Sequence, residues 1–592
     1  MEISDNKNLL SNLESPEKSS TDLDAPSHAC QTKTSNPPNK ISRRRLLQLG
    51  AGAGLAAALA PMPRLITTRA FASGAPAVPK PTLRIPKAPN ILVLMTDQER
   101  HHMHWPQGWA EKNLPSLQRL KRHGLYFNRA YTAASQCSPS RAVMLTSRFA
   151  PVNRVTRTFL WPGLQHKDRQ PNIGSLLKEK AGYEVVWKGK WHLSYAANAA
   201  PGNGGEDWTL LDIKMMETNY GWAEWNPPDA GNAIQGFQPT QFGVFNGLAT
   251  LGGGNPNNDG RYISGLSPSD QGQTPGVGGQ SVLDFLKHRA PKLGKPFCLF
   301  VSLVNPHDIE AYPGGWKEAG FKLEDFGDLG IELPPNYDDD LSTKPSVQKA
   351  ARDAYNKFAP IDSQQARKEY VNFYAYLNTV VDKHIMTVLD TLEETGLMDN
   401  TIIIRIADHG EGGLSHGMRE KAYTAYEEMI HIPVIVHNPK LFPEPLETEA
   451  FYDHLDLLPT ILELAGVANP DSYALGKSIV PVMKDPSRHV QDHTVFSFDD
   501  LFFLPADIPG GHIRAIREGD WTYAVYFGME GGRSEYELYD IKGDPLQLHN
   551  LLYGTPGPDA RKEWARLHRI LTTRFVDAGN LPDSFPWPIE PA

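Results

Sequence analysis

The chain has 592 residues, a net charge of −9, 40% hydrophobic and 21% charged residues. That length supplies a sizeable core and suggests more than one packing unit, the composition is that of a folded soluble protein, and the negative balance argues against a nucleic-acid partner. Three cysteines, Cys30, Cys137 and Cys298, are too few and too scattered for a disulfide framework.

Residues 1–40 are polar, rich in Ser, Asn, Asp and Lys, and are expected to be disordered. Ser42-Arg43-Arg44-Arg45-Leu46-Leu47-Gln48 then opens an Ala/Gly-rich apolar stretch from Leu49 to Ala60, short for a bilayer span. It looks like a twin-arginine signal peptide, with Ala70-Phe71-Ala72 as the cleavage site and residues 1–72 removed; an uncleaved membrane anchor is the alternative. The expectation is export by the twin-arginine machinery to the periplasm or beyond.

A main folded domain is expected over residues 88–466. Ile91-Leu92-Val93-Leu94-Met95, ending in Thr96-Asp97-Gln98, has the unbroken apolar pattern of a strand buried on both faces. A helix follows from about Leu114 to His123, with Asn113 as N-cap candidate and Pro115 in its first turn. Ile173 to Lys180 reads as a helix stopped by Gly182, and Tyr183-Glu184-Val185-Val186-Trp187 as a strand delivering Lys190 and His192. Val282 to Arg289 reads as helix, Phe297 to Val304 as a strand before Asn305-Pro306-His307-Asp308, and Gln364 to Glu394 as a long helix stopped by Gly396. Thr401 to Ala407 is a fourth strand, leading into Asp408-His409-Gly410. Strands alternating with helices and ending in polar clusters predict an α/β sheet covered by helices on both faces, with its site at the strand C-termini.

Residues 199–280 are rich in Gly, Pro, Asn and Trp without periodicity and read as a loop-rich insertion, either over the site mouth or peripheral. Beyond a linker around Asn469-Pro470-Asp471, residues 467–592 predict a C-terminal subdomain: short strands near His493–Phe498, Ile513–Arg517, Trp521–Tyr526 and Glu537–Asp540, then a helix from Ala560 to Phe575.

Cys137-Ser138-Pro139-Ser140-Arg141, followed by Ala142-Val143-Met144-Leu145-Thr146-Ser147-Arg148, resembles the maturation signature of the sulfatase family. Gly189-Lys190-Trp191-His192, Asn305-Pro306-His307, Asp408-His409-Gly410 and Arg419-Glu420-Lys421 followed by Tyr426-Glu427-Glu428 resemble further family segments in family order, and the likeness runs from about Asn90 to Leu552. It implies an alkaline-phosphatase-like sandwich, with a large mixed, mainly parallel sheet and a smaller C-terminal antiparallel domain. It also implies that a formylglycine-generating maturation enzyme oxidises Cys137 to formylglycine, whose hydrate is the nucleophile; after twin-arginine export of a folded chain, that step would precede transport.

The remaining roles follow from the same resemblance. Arg141 would orient position 137, Lys190 would hold sulfate and nucleophile, His192 would assist breakdown of the intermediate, and His307 and Lys421 would serve the leaving group. A divalent metal, Ca²⁺ by family and Mg²⁺ or Mn²⁺ by ligand type, would be held by Asp97, Gln98, Cys137, Asp408 and His409. Gln98 stands where many members carry Asp, and His409 where many carry Asn. His416 is a weaker candidate, catalytic or structural. The implied substrate is a sulfated small molecule or carbohydrate. Phosphonate monoester or phosphodiester hydrolysis is the rival within the superfamily; non-catalytic polyanion binding and a thiol-dependent hydrolase are rivals outside it. Trp208, Trp222, Trp225 and Trp316 are read as pocket lining or packing.

Overall fold

The apolar runs form strands whose side chains alternate between two buried faces. In β1 (Asn90–Asp97), Ile91, Val93 and Met95 join the core on one side of the sheet, while Leu92 and Leu94 join a second core on the other. The other strands of this sheet are β2 (Gly124–Tyr131), β3 (Glu184–Gly189), β4 (Phe297–Pro306), β5 (Thr401–Ala407), β6 (Val434–His437) and β7 (Leu446–Asp453), in the order β3-β4-β1-β5-β6-β2-β7. Every neighbouring pair is parallel except those of β6, which runs against both β5 and β2. The computed structural model describes residues 85–101, 104–158, 163–194, 209–226, 229, 258–265, 281–317, 319–468, 473–500, 511–528, 533–581 and 587–588. The twin-arginine stretch, Trp208, most of the 199–280 insertion and the linker at 469–472 lie outside them.

A second sheet of four antiparallel strands, β8 (His493–Phe498), β9 (His512–Glu518), β10 (Trp521–Phe527) and β11 (Glu535–Asp540), is ordered β11-β10-β9-β8. The helix Pro558–Thr572 packs on it through Leu567 and Leu571. Both sheets belong to one compact unit, Pro79–Ala592. Phe496, Phe498 and Ile513 of the second sheet share a core with Tyr423, Tyr426 and Met429, which follow Lys421. The expected architecture, a mainly parallel mixed sheet with helices plus a small antiparallel sheet and helix, is the one found.

Local signals differ from the structure at a few points. The helix Pro115–Arg122 has Leu114 at its N-cap position; Asn113 instead donates its side-chain amide to Trp109 O at 2.8 Å. The orphan N–H groups of Ser116 and Leu117 are taken at 3.0 and 3.1 Å by Asp382 of the long helix Gln364–Glu394. Val282–Arg289 divides into an α-turn and a π-helical turn. Trp222 and Trp225 are fully buried and Trp316 nearly so. Trp222 packs edge-on against Trp187, and Trp225 Nε1 donates to Gly189 O at 2.7 Å, so these rings pack the fold.

Candidate active site

Adjacent strands bring the acidic groups together. In β1 and β5 Thr96 is registered against Ala407, so Asp97 and Asp408 leave the sheet side by side at the strand C-termini. Gly189 closes β3 with φ +87, and a Cβ there would lie 2.1 Å from Ser302 O. Only glycine fits, and the turn it permits swings Lys190 toward Asp97.

Cys137 is the first residue of the buried helix Cys137–Thr146, and Pro139 occupies the first turn, where proline costs little. The four-residue step from Cys137 to Arg141 sets both on one helix face. Arg141 is fully buried and uses its donors in four directions: Nη2 to Asp97 Oδ2 at 2.8 Å, Nε to Asp408 Oδ2 at 3.0 Å, and Nη1 to Lys190 O at 2.9 Å and Ser302 Oγ at 2.8 Å. Lys190 Nζ also reaches Asp97 Oδ2, at 2.6 Å. Burial opposes ionisation of Asp97, but the cations beside it, Lys190 foremost and then Arg141, outweigh it and hold the carboxyl well below the usual range.

The other carboxylate oxygens face a common point. Asp97 Oδ1 lies 3.6 Å from Cys137 Sγ and 3.7 Å from His409 Nε2; Asp408 Oδ1 lies 3.6 Å from His409 Nε2; and His409 Nε2 is 3.2 Å from Cys137 Sγ. The four residues offer ligand atoms all within 4.8 Å of one another, and all four are buried. Two carboxylate oxygens, an imidazole nitrogen and position 137, converging in a buried site, fit a divalent cation. His409 Nδ1 is engaged with Gly410 O at 3.0 Å, which leaves Nε2 for the site. Gln98, expected among the ligands, has its amide between two other groups: Oε1 accepts from Lys421 Nζ at 2.7 Å, and Nε2 donates to Glu411 Oε2 at 2.5 Å.

Basic groups surround Cys137. Lys190 Nζ is 3.8 Å from Sγ. His307, at the end of β4, lies with Nε2 3.3 Å from Glu310 Oε1, and Lys421 pairs with the same carboxylate. Burial, then Lys190, pushes His307 well below the ordinary histidine range, and burial followed by Lys190 and Arg141 does the same to His192. Burial disfavours charge on Lys421, but Glu310, then Glu420, hold it well above the ordinary lysine range. Burial, then Asp97, raises the Cys137 thiol, so an unmodified cysteine here is a protonated thiol and a poor nucleophile.

His416 stands apart from these groups. Its Nδ1 meets Asp339 Oδ2 at 2.7 Å and its ring stacks on Tyr426 at 3.8 Å, which makes it a structural tie between loops.

Several supporting residues carry no motif. Asp229 Oδ1 accepts the backbone N–H of Trp191 and of His192, each at 2.8 Å, and Asn226 Oδ1 accepts that of Gly189 at 2.8 Å. Asp259, in the helix Asn258–Ser264, accepts the N–H of Val304 at 2.6 Å, the N–H of Asn305 at 3.1 Å and the Asn305 side-chain amide at 3.0 Å. The insertion therefore contributes acids and amides that fix the turns bearing Lys190, His192 and His307. Its lack of periodicity hid them.

The sulfatase family model matches residues 89–467, and the C-terminal model of N-sulphoglucosamine sulphohydrolase matches residues 414–573. The chain belongs to the sulfatase family. Among curated relatives, the N-acetylglucosamine-6-O-sulfatase of Bacteroides thetaiotaomicron is 23% identical, over 84% of this chain and 88% of that one. Among solved structures, a 2-O GAG sulfatase superposes with a TM-score of 0.60 at 22% identity, covering 84% of this chain and 96% of its own. A phosphonate monoester hydrolase from Silicibacter pomeroyi superposes with a TM-score of 0.56 at 21% identity, covering 84% and 96%. At these identities the superpositions establish a shared fold. The sulfatase is thus a sulfuric ester hydrolase whose sheet places Asp97, Cys137, Lys190, His307, Asp408, His409 and Lys421 in one site.

Proposed function

We propose that this sulfatase is exported by the twin-arginine route, to the periplasm or outside the cell, and there hydrolyses the sulfate monoester of a small molecule or carbohydrate. Position 137 is matured to formylglycine, and a divalent cation, Ca²⁺ by family resemblance, is held by Asp97, Asp408, His409 and position 137, with Gln98 alongside. The observation that carries this reading is the convergence of Asp97 Oδ1, Asp408 Oδ1 and His409 Nε2 on Cys137, while Lys190 approaches the same atom. The cation would neutralise sulfate oxygens, and the aldehyde hydrate would supply the nucleophilic hydroxyl.

The chain's own residues do the rest. Arg141 locks both carboxylates and the Lys190 backbone, so nucleophile and oxyanion contacts are set before substrate arrives. Lys190 presents its charge to a nonbridging oxygen. Lys421 carries the charge on the leaving-group side and His307, neutral there, shares in moving the proton to the departing oxygen. His192, on the turn held by Asp229, is placed to take a proton when the covalent intermediate collapses.

The test is the mass of the tryptic peptide Ala130 to Arg141 from active protein, together with turnover by Cys137→Ala. An aldehyde or its hydrate at position 137, and loss of all turnover in the variant, are expected. An intact thiol in active protein would overturn the reading. A phosphonate monoester presents the same tetrahedral oxyanion to the same cradle, and paired rates on a sulfate and a phosphonate of one alcohol decide between them.

A further inference from the structure

On the leaving-group side one lysine is shared by two carboxylates. Lys421 pairs with Glu310 and lies 3.1 Å from Glu420 Oε2. Glu310 stands one turn beyond His307, whose Nε2 is 3.3 Å from it. Glu420 adopts a left-handed backbone, φ 69, and its N–H donates to Glu411 Oε1 at 3.0 Å. The two carboxyls are neighbours: after burial, it is Glu310 that lifts Glu420, to about 7. Their side chains retain 16% and 15% exposure, so a ligand beside Lys421 can reach them. Arg419, the adjacent arginine, is directed away and donates to Tyr355 O at 2.9 Å. Among the described residues, Lys421 is the lysine or arginine within ion-pair reach of either carboxylate.

The three N–H donors of Lys421 already meet Glu310, Glu420 and, at 2.7 Å, Gln98 Oε1, so it reaches the ester oxygen only by giving up part of this set. When it turns to the leaving oxygen, the charge that Glu310 and Glu420 share is drawn toward the ester while the substrate displaces water from around them. A desolvated carboxylate without a partner is costly, and a second anion brought beside it is worse. We propose that Glu310 and Glu420 select the alcohol: the preferred sulfate ester bears an ammonium group close to the ester oxygen, and esters bearing a carboxylate or second sulfate there are rejected. The inference rests on the sulfatase reading, which sets the alcohol on the Lys421 side.

The experiment compares three esters of one framework, 2-aminoethyl sulfate, propyl sulfate and 2-carboxyethyl sulfate, with 4-nitrophenyl sulfate as reference, using matured full-length protein at pH 8. We expect kcat/KM to fall in that order, with at least about tenfold between the amine and the carboxylate. Glu310→Gln and Glu420→Gln should each narrow that ratio, and Glu310→Asp should preserve its direction. Equal rates, the reverse order, or an unchanged ratio in both glutamine variants would overturn the inference while leaving the sulfatase reading intact. Hydrolysis of none of the four esters would overturn the functional reading, and the inference with it.

Discussion

Arg141 shows how much of the site depends on one side chain. It is fully buried and joined to Asp97, Asp408, Ser302 and the Lys190 carbonyl. A lysine supplies the charge without the planar set of donors. Arg141→Lys is expected to lower kcat by about 10²-fold or more and to destabilise the fold by about 3 kcal/mol, because buried carboxylates lose a partner. Steady-state kinetics and denaturant unfolding check both. Glu420 carries a pH dependence of opposite sense from a salt-bridged carboxylate. Burial, then Glu310, raises it from 4.5 to about 7, so the folded state binds its proton more tightly than the unfolded chain. Its contribution is fully present below about pH 4.5 and is lost as pH rises through about 7. Glu420→Gln should therefore gain in melting temperature relative to wild type as pH goes from 5 to 8, and a constant difference would contradict this assignment.

Secondary-structure elements position the chemistry through contacts that no local pattern announces. Asp259 holds the end of β4, and the buried N–H groups of Val304 and Asn305 depend on it. Asp259→Ala should cost about 1–3 kcal/mol for each buried donor left unsatisfied and reduce kcat through a displaced His307. Asp259→Asn, which keeps one acceptor oxygen, should recover part of both. Unfolding curves and kinetics on one ester test the pair. Asp382 caps a neighbouring helix through Ser116 and Leu117, far along the chain from it. Its replacement by Ala should lower stability by about 1–2 kcal/mol with kcat unchanged, as measured by denaturant unfolding and by turnover.

At the scale of the whole molecule the second sheet belongs to the site's support. Tyr423, Tyr426 and Met429 pack with Phe496, Phe498 and Ile513, and Arg517 of β9 makes a buried pair with Glu427 at 3.0 Å. A chain ending at residue 466 would expose this core and leave Glu427 without its arginine. Such a truncation is expected to be insoluble or to lack a cooperative melting transition; a soluble, cooperatively folded fragment would refute this dependence. On the proposed reading, a cation held by these convergent buried donors would add to folding stability. A cation that binds only the native state at 100 times its Kd stabilises by about 2.7 kcal/mol, so chelation should lower the melting temperature and Ca²⁺ should restore it.

The sequence by itself determined the strands built on long apolar runs, the motifs at their ends and the family they resemble. Burial on both faces imposes an unbroken apolar run on β1 and long apolar runs on β4 and β5, interrupted at Ser302 and Arg405, and the polar motifs stand in the turns that follow. β2, β6 and β7 escaped that reading. β2 and β7 interleave polar residues, and β6 has 4 residues. Only the tertiary structure decided which oxygen of Asp97 and Asp408 faces Arg141 and which faces His409, and that Gln98 turns to Lys421. It also decided that Asp229 and Asp259 hold the turns bearing Lys190, His192 and His307, and that two glutamates share one lysine. The physical reason is range. Apolar pattern and turn chemistry act between residues near in sequence, whereas ion pairs and buried hydrogen bonds join residues that become neighbours only when the strands align.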